Sequence, residues 1–140
     1  MGKVFWLTGP SGAGKTTVAK AVQAITDNVV IIDGDDMRES ISVGAGFSVE
    51  ERRIHNMRVA RLAKVLARQP LTVLVSVIAP MHEARVAASD ICQAEWVYIK
   101  RTLPEREGHF YEEPENIQTL DHDKLSVEES RDKLLKIIKR

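Results

Sequence analysis

Residues 9–16 read Gly-Pro-Ser-Gly-Ala-Gly-Lys-Thr and satisfy the pattern G-x-x-x-x-G-K-S/T at every specified position. The six residues before them, Lys3 to Thr8, form a run of β-formers, and Val18, Ala19, Val22 and Ile25 follow at helical spacing. A glycine-rich loop between a buried strand and a helix lets consecutive backbone N–H groups curl around phosphate oxygens, and the helix N-terminus adds a favourable dipole. Gly9, Ser11, Gly12, Ala13, Gly14, Lys15, Thr16 and Thr17 are therefore expected to hold the phosphates of ATP. Lys15 is placed to stabilise charge during transfer, and Thr16 to ligate Mg²⁺.

The rest of the chain repeats the same strand and helix alternation. Val29 to Ile32 reads as a second strand, closed by Asp33-Gly34-Asp35-Asp36. Val49 to Gln69 reads as a helix with an apolar stripe of Ile54, Met57, Ala60, Leu62, Val65 and Leu66. Leu71 to Ala79 is expected to be a third, central strand stopped by Pro80, followed by a helix over Glu83 to Ala94 and a fourth strand over Trp96 to Ile99. Lys100 to Asp123 reads mainly as loop, with Ile117 to Leu120 as a possible edge strand. Ser126 and Glu129 form a capping-box pattern ahead of a last helix. Short βα intervals imply right-handed crossovers, so the expected fold is α/β: a three-layer P-loop NTPase-like fold with a mainly parallel sheet of four to five strands, ligands binding at the strands' carboxyl ends. At 140 residues, the chain is expected to form one P-loop kinase domain.

Composition narrows the partners. Lys plus Arg and Asp plus Glu are 20 each, so no net field attracts nucleic acid or anionic lipid, and anion binding must be local. No apolar stretch approaches the ~20 residues of a membrane helix. The start lacks the pattern of a secretory signal, and a cytoplasmic protein is expected. Cys92 is expected to be a buried small residue, and His55 and His82 have no metal-like partners at suitable spacing.

The loop's chemistry is narrowed by what accompanies it. An Asn-Lys-x-Asp guanine-reading motif is absent, and the third strand ends Ser76-Val77-Ile78-Ala79-Pro80 without the carboxylate expected of a motor or AAA-type ATPase. Asp33, Asp35 and Arg38 instead supply a carboxylate for an acceptor hydroxyl or Mg²⁺ and a cation for an anionic acceptor, although an acidic turn capping a helix would look the same. Phe47 offers a face for a base, and Arg52, Arg53 and Asn56 lie at a helix start, where they could bind anion or ring edges.

Trp6 to Thr17, Asp33-Gly34-Asp35 with Arg38, Gly46-Phe47-Ser48, Asn56-Met57-Arg58, Val73 to Pro80, Tyr111-Glu112-Glu113-Pro114-Glu115 and Ser126 to Ser130 together resemble the successive motifs of the adenylylsulfate kinase family. The resemblance implies transfer of the γ-phosphoryl of ATP to the ribose 3′-hydroxyl of adenosine 5′-phosphosulfate. It implies that Phe47 stacks on the acceptor adenine, that Arg38, Arg53 and Asn56 hold the acceptor with Ile78 beside it, and that Asp33 or Asp35 serves the hydroxyl or the Mg²⁺ shell. It also makes a homodimer plausible.

Three departures accompany it. Arg52 stands where the family has an aspartate, so either Arg52 or Arg53 could meet the acceptor. The family's Ile-Ser-Pro is Ile78-Ala79-Pro80, which leaves direct transfer rather than a phosphoserine route. The family's long lid is reduced to Thr102 to Phe110, with Arg106 expected against the ATP adenine and Phe110 as a substitute stack. The short lid keeps two other readings open: a kinase for another nucleotide-like acceptor or a polynucleotide end, and a nucleotide-binding module that has lost transfer.

Overall fold

The computed structural model describes residues 1–105 and 110–140. Among the described residues, ten elements follow one another: β1 (Lys3–Thr8), α1 (Lys15–Gln23), β2 (Val29–Asp33), α2 (Gly34–Arg38), α3 (Val49–Leu66), β3 (Thr72–Ser76), α4 (His82–Cys92), β4 (Glu95–Lys100), β5 (Gln118–Asp121) and α5 (Val127–Lys139). The five strands form one sheet in the order β2-β3-β1-β4-β5, and every pairing is parallel. The α/β expectation is met, with β5 at the edge. β1 rather than β3 occupies the middle, because the chain crosses from β2 to β3 before returning to the other side of β1.

Alternation along β1 divides the core into two layers. Val4 and Trp6 face α3 and α4 with Val73, Val75, Val59, Ala60, Ala63 and Ala88. Phe5 and Leu7 face α1 and α5 with Val18, Val22, Leu74, Val97, Leu134 and Ile137. Trp6 stacks on Trp96 across the sheet, centroids 4.8 Å apart. Its indole N–H donates to the Val77 carbonyl at 3.0 Å, so the largest buried ring carries no unmet donor.

Local chemistry sets the helix ends. Ser126 Oγ accepts from Glu129 N while Glu129 Oε1 accepts from Ser126 N, completing the expected capping box of α5. α3 starts at Ser48, whose Oγ accepts from Glu51 N at 3.1 Å. Asp33 Oδ1 accepts from Asp35 N, so the acidic turn does cap a short helix while standing at the end of β2.

The structure corrects two readings of these elements. On α3 the face turned inward is Asn56, Val59, Ala60 and Ala63, with His55 and Met57 beside it, whereas Ile54 and Val65 lie outside. The small alanines allow close approach to the sheet, and His55 is drawn in by a 2.7 Å hydrogen bond to Ser42. The third strand stops at Ser76, where the neighbouring β1 and β2 also run out; Ala79 then turns into the left-handed region at φ 47°. Cys92 is buried, as expected.

Leu134 is fully buried and fastens α5 to α1. Leu134→Ala should lower the unfolding free energy in urea by about 2–5 kcal/mol, against about 1 kcal/mol for Ser126→Ala. Equal small losses would show that α5 is held by its ends rather than by packing.

Candidate active site

At the carboxyl end of the sheet, the loop between β1 and α1 opens onto a cavity of about 540 Å³. Ser11, Gly12, Gly14, Lys15, Thr16 and Thr17 line one part of it, Asp33 and Asp35 the base, Arg38, Phe47, Arg52 and Asn56 one wall, and Ile78 with Tyr111 the wall opposite. A larger cleft of about 1130 Å³ adjoins it and shares Ser11, Phe47, Arg52, Asn56, Arg101, Phe110 and Tyr111. The predicted residues are thus brought together with four exceptions. Gly9 lies beneath the loop, Ala13 is buried behind it, Arg53 lines only the outer cleft, and Arg106 falls outside the described residues.

The loop is held open by its carbonyls. Lys15, only 7% exposed, donates through Nζ to Gly9 O at 2.9 Å and Pro10 O at 3.0 Å. Arg101 Nη1 donates to Gly12 O at 2.9 Å, and the His122 ring reaches Ala13 O at 2.8 Å through Nδ1 and Ser130 Oγ at 2.7 Å through Nε2. Since a carbonyl only accepts, Nδ1 carries the proton. Gly14 sits at φ 98°, and a side chain there would meet His122 at 2.8 Å, so glycine is demanded twice. At Gly9 an added methyl would come within 2.4 Å of Ile99 O, which is why the loop can lie against β4.

Thr16 Oγ1 lies 2.8 Å from Ser76 Oγ, at the end of β3. Ser76 is the register partner of Asp33, so the two hydroxyls stand at the strand ends beside the acidic turn, and all three residues line the cavity. Among the described residues no group of three or more His, Cys, Asp and Glu side chains could hold a metal alone. Thr16 with one carboxylate fits an ion that keeps several waters and takes other oxygens from phosphate, as Mg²⁺ does.

On the opposite side Arg38 lies over the Phe47 ring, 4.3 Å from its centroid, and Arg52 approaches the same ring at 5.9 Å. Arg38 also donates to Gly46 O at 3.2 Å. Arg53 instead points to Glu83 on α4, a 4.0 Å pair that is largely exposed. Geometry therefore puts Arg52, not Arg53, on the cavity shared with the phosphate loop.

Tyr111 lines both spaces, its hydroxyl 2.7 Å from Thr8 Oγ1 and its ring stacked on Tyr98. Burial pushes its phenol up to about 12, so it stays a neutral hydrogen-bonding group. Ser76, Arg101, Tyr111 and His122 were not singled out as site residues from sequence; Ser76 and Tyr111 lie in motifs that could have flagged them, whereas Arg101 and His122 do not.

Burial brings the Lys15 ammonium down to about 8, against the opposing pull of Asp33 and Asp35. A bound polyphosphate stabilises the charged form and raises that value, so binding takes up a proton above pH 8. MgAMPPNP affinity should be full below pH 8 and fall by at most about tenfold per pH unit as pH rises beyond it. Calorimetric titration in buffers of different ionisation enthalpy measures this. A flat affinity from pH 7 to 9.5 without proton uptake would contradict it.

Residues 1–118 match the model of the adenylylsulphate kinase family. A probable adenylyl-sulfate kinase of Aeropyrum pernix is 38% identical over 113 residues, which are 74% of this chain and 62% of that one. The Pyrococcus abyssi counterpart is 40% identical over 110 residues, 75% and 63% of the two chains. This chain spans about three fifths of the length of such curated relatives. Among solved structures, the Mycobacterium tuberculosis APS kinase CysC in complex with AMPPNP and APS superposes with a TM-score of 0.87 at 26% identity, covering 99% of this chain and 98% of that one. The crystal structure of APE1195 gives 0.91 at 32% identity, with 99% and 95% covered. The chain belongs to the adenylylsulphate kinase family.

Proposed function

We propose that this chain is a single-domain kinase that transfers the γ-phosphoryl of MgATP to the ribose 3′-hydroxyl of adenosine 5′-phosphosulfate. The observation that carries the reading is the single cavity lined both by the phosphate loop and by Arg38, Phe47, Arg52 and Asn56, with Asp33 and Asp35 at its base. Family membership and the M. tuberculosis relative, solved with AMPPNP and APS, support it.

In this reading the loop's N–H groups and Lys15 hold the β- and γ-phosphates, Lys15 giving them the donor that Gly9 O and Pro10 O leave free. Mg²⁺, when bound at Thr16 and a carboxylate, supplies neutralisation of charge on the β- and γ-oxygens. Phe47 stacks on the acceptor adenine, while Arg38 and Arg52 meet its anionic group. Asp33 or Asp35 orients the hydroxyl and takes its proton as the acceptor oxygen bonds to the γ-phosphorus; the bond to the β,γ-bridging oxygen breaks and ADP leaves. The other carboxylate would join Thr16 in holding Mg²⁺.

Ala79 carries no hydroxyl, so transfer is direct. No helix among the described residues is long and apolar enough to cross a membrane. The family resemblance is also the ground for proposing self-association, one relative from Thiobacillus denitrificans being hexameric.

Incubation with γ-labelled MgATP and a panel of nucleotide acceptors tests the reading. Label should appear on adenosine 5′-phosphosulfate, and Lys15→Ala should cut turnover by about 10²-fold or more. Turnover of another compound alone would replace the acceptor. Tight MgATP binding with no transfer at all would replace the enzyme by a binding module.

A further inference from the structure

One charged side chain is buried just behind the acceptor wall without facing either space of the site. Arg85, on α4, is 5% exposed and is absent from the lining of both. Its Nη1 donates to Ala79 O and its Nη2 to Glu112 O, each at 2.8 Å, and its guanidinium lies 5.5 Å from the Tyr111 ring centroid. Among the described residues it forms no ion pair. A buried cation satisfied by backbone carbonyls is costly to the fold, and a Met of similar length could fill the space. What the guanidinium adds is the fork: two donors in fixed directions, joining two separate segments.

Those segments make up one wall of the cavity. After β3 the chain leaves the sheet, and four consecutive carbonyls are each taken by a different partner. Trp6 Nε1 holds Val77 O at 3.0 Å, Thr8 Oγ1 holds Ile78 O at 2.6 Å, Arg85 holds Ala79 O at 2.8 Å, and Glu112 N holds Pro80 O at 2.8 Å. Ala79 is kept at φ 47°, a conformation a non-glycine residue holds only when its surroundings impose it. The last two of these bonds depend on Arg85, one directly and one through Glu112. Ile78, Ala79, Pro80 and Tyr111 then face Arg38, Phe47, Arg52 and Asn56 across the cavity.

We propose that Arg85 is a positioning residue for the acceptor: by tying Ala79 to Glu112, it sets the separation between the Ile78–Tyr111 wall and the Phe47 wall. The role rests on the kinase reading above. It acts on the acceptor half alone, because the phosphate loop is braced by Lys15, Arg101 and His122, none of which touches Arg85. A small shift of a positioning wall costs rate or acceptor affinity far more than stability.

Arg85→Lys keeps the charge but can reach only one carbonyl, and Arg85→Met keeps the stem with no donor, serving if the lysine variant does not fold. With MgATP and adenosine 5′-phosphosulfate, the acceptor KM should rise about tenfold or more while the KM for ATP stays within about twofold. By hydrogen exchange, the Glu112 amide should open about tenfold faster than in the unaltered protein, with β1 amides unchanged. Equal rises in both KM values, or no change in the Glu112 amide, would overturn the proposal. If the unaltered protein does not phosphorylate adenosine 5′-phosphosulfate, the kinase reading fails by itself. The exchange result, with MgAMPPNP affinity unchanged in the variants, then decides whether Arg85 fixes this wall.

Discussion

A backbone loop can present its N–H groups to phosphate only if its carbonyls are turned away and satisfied there. In this chain the Gly9 and Pro10 carbonyls receive Lys15, that of Gly12 receives Arg101, and that of Ala13 receives His122. The strand ends of β4 and β5 therefore carry the outside of the loop, and α5 reinforces it through the buried Ser130. The parallel sheet puts those ends side by side, so fold and phosphate cradle are one construction. Burial of Lys15 lowers its hold on a proton in the empty loop, and polyphosphate then meets a cation that gains more from the contact than an exposed lysine would.

The acceptor side is built on a different balance. Arg38 and Arg52 share one aromatic face, and Arg52 pulls the Arg38 guanidinium below its ordinary value, second to burial. Like charges gathered on a ring that is 67% exposed are a poor arrangement for an empty site and a good one for an anionic, flat ligand. Glu51 offsets part of the repulsion while its carboxylate is tied up by Gly46 N and Ser48 Oγ. Facing this cationic wall is one held by hydrogen bonds to four successive carbonyls, so the cavity has a charged side and a side fastened to the sheet.

Local signals made the donor half legible. β1, the loop and α1 follow from a run of β-formers, three glycines and a helical stripe, and the structure reproduces β1 residue for residue. The caps at Ser126 and Asp33 were readable for the same reason. Phase along α3 was not, because His55 is a polar residue bonded to Ser42 in the interior and Asn56 is buried at the cavity, so the inward face differs from the apolar stripe. The bracing of the loop joins residues 89 and 109 positions apart, and no periodicity encodes such contacts. Arg52 and Arg53 are adjacent in sequence, so only their directions separate them: one lies over Phe47 and the other toward Glu83.

The central claim is that two nucleotides bind end to end in one cavity, phosphates in the loop and the acceptor on Phe47. A crystal structure of the chain with AMPPNP and adenosine 5′-phosphosulfate tests it most directly. The account predicts the AMPPNP phosphates against residues 9–16, the second adenine stacked on Phe47, and its 3′-hydroxyl turned toward Asp33 and Asp35. Adenosine 5′-phosphosulfate bound away from Phe47, or displacing AMPPNP from the loop, would contradict it.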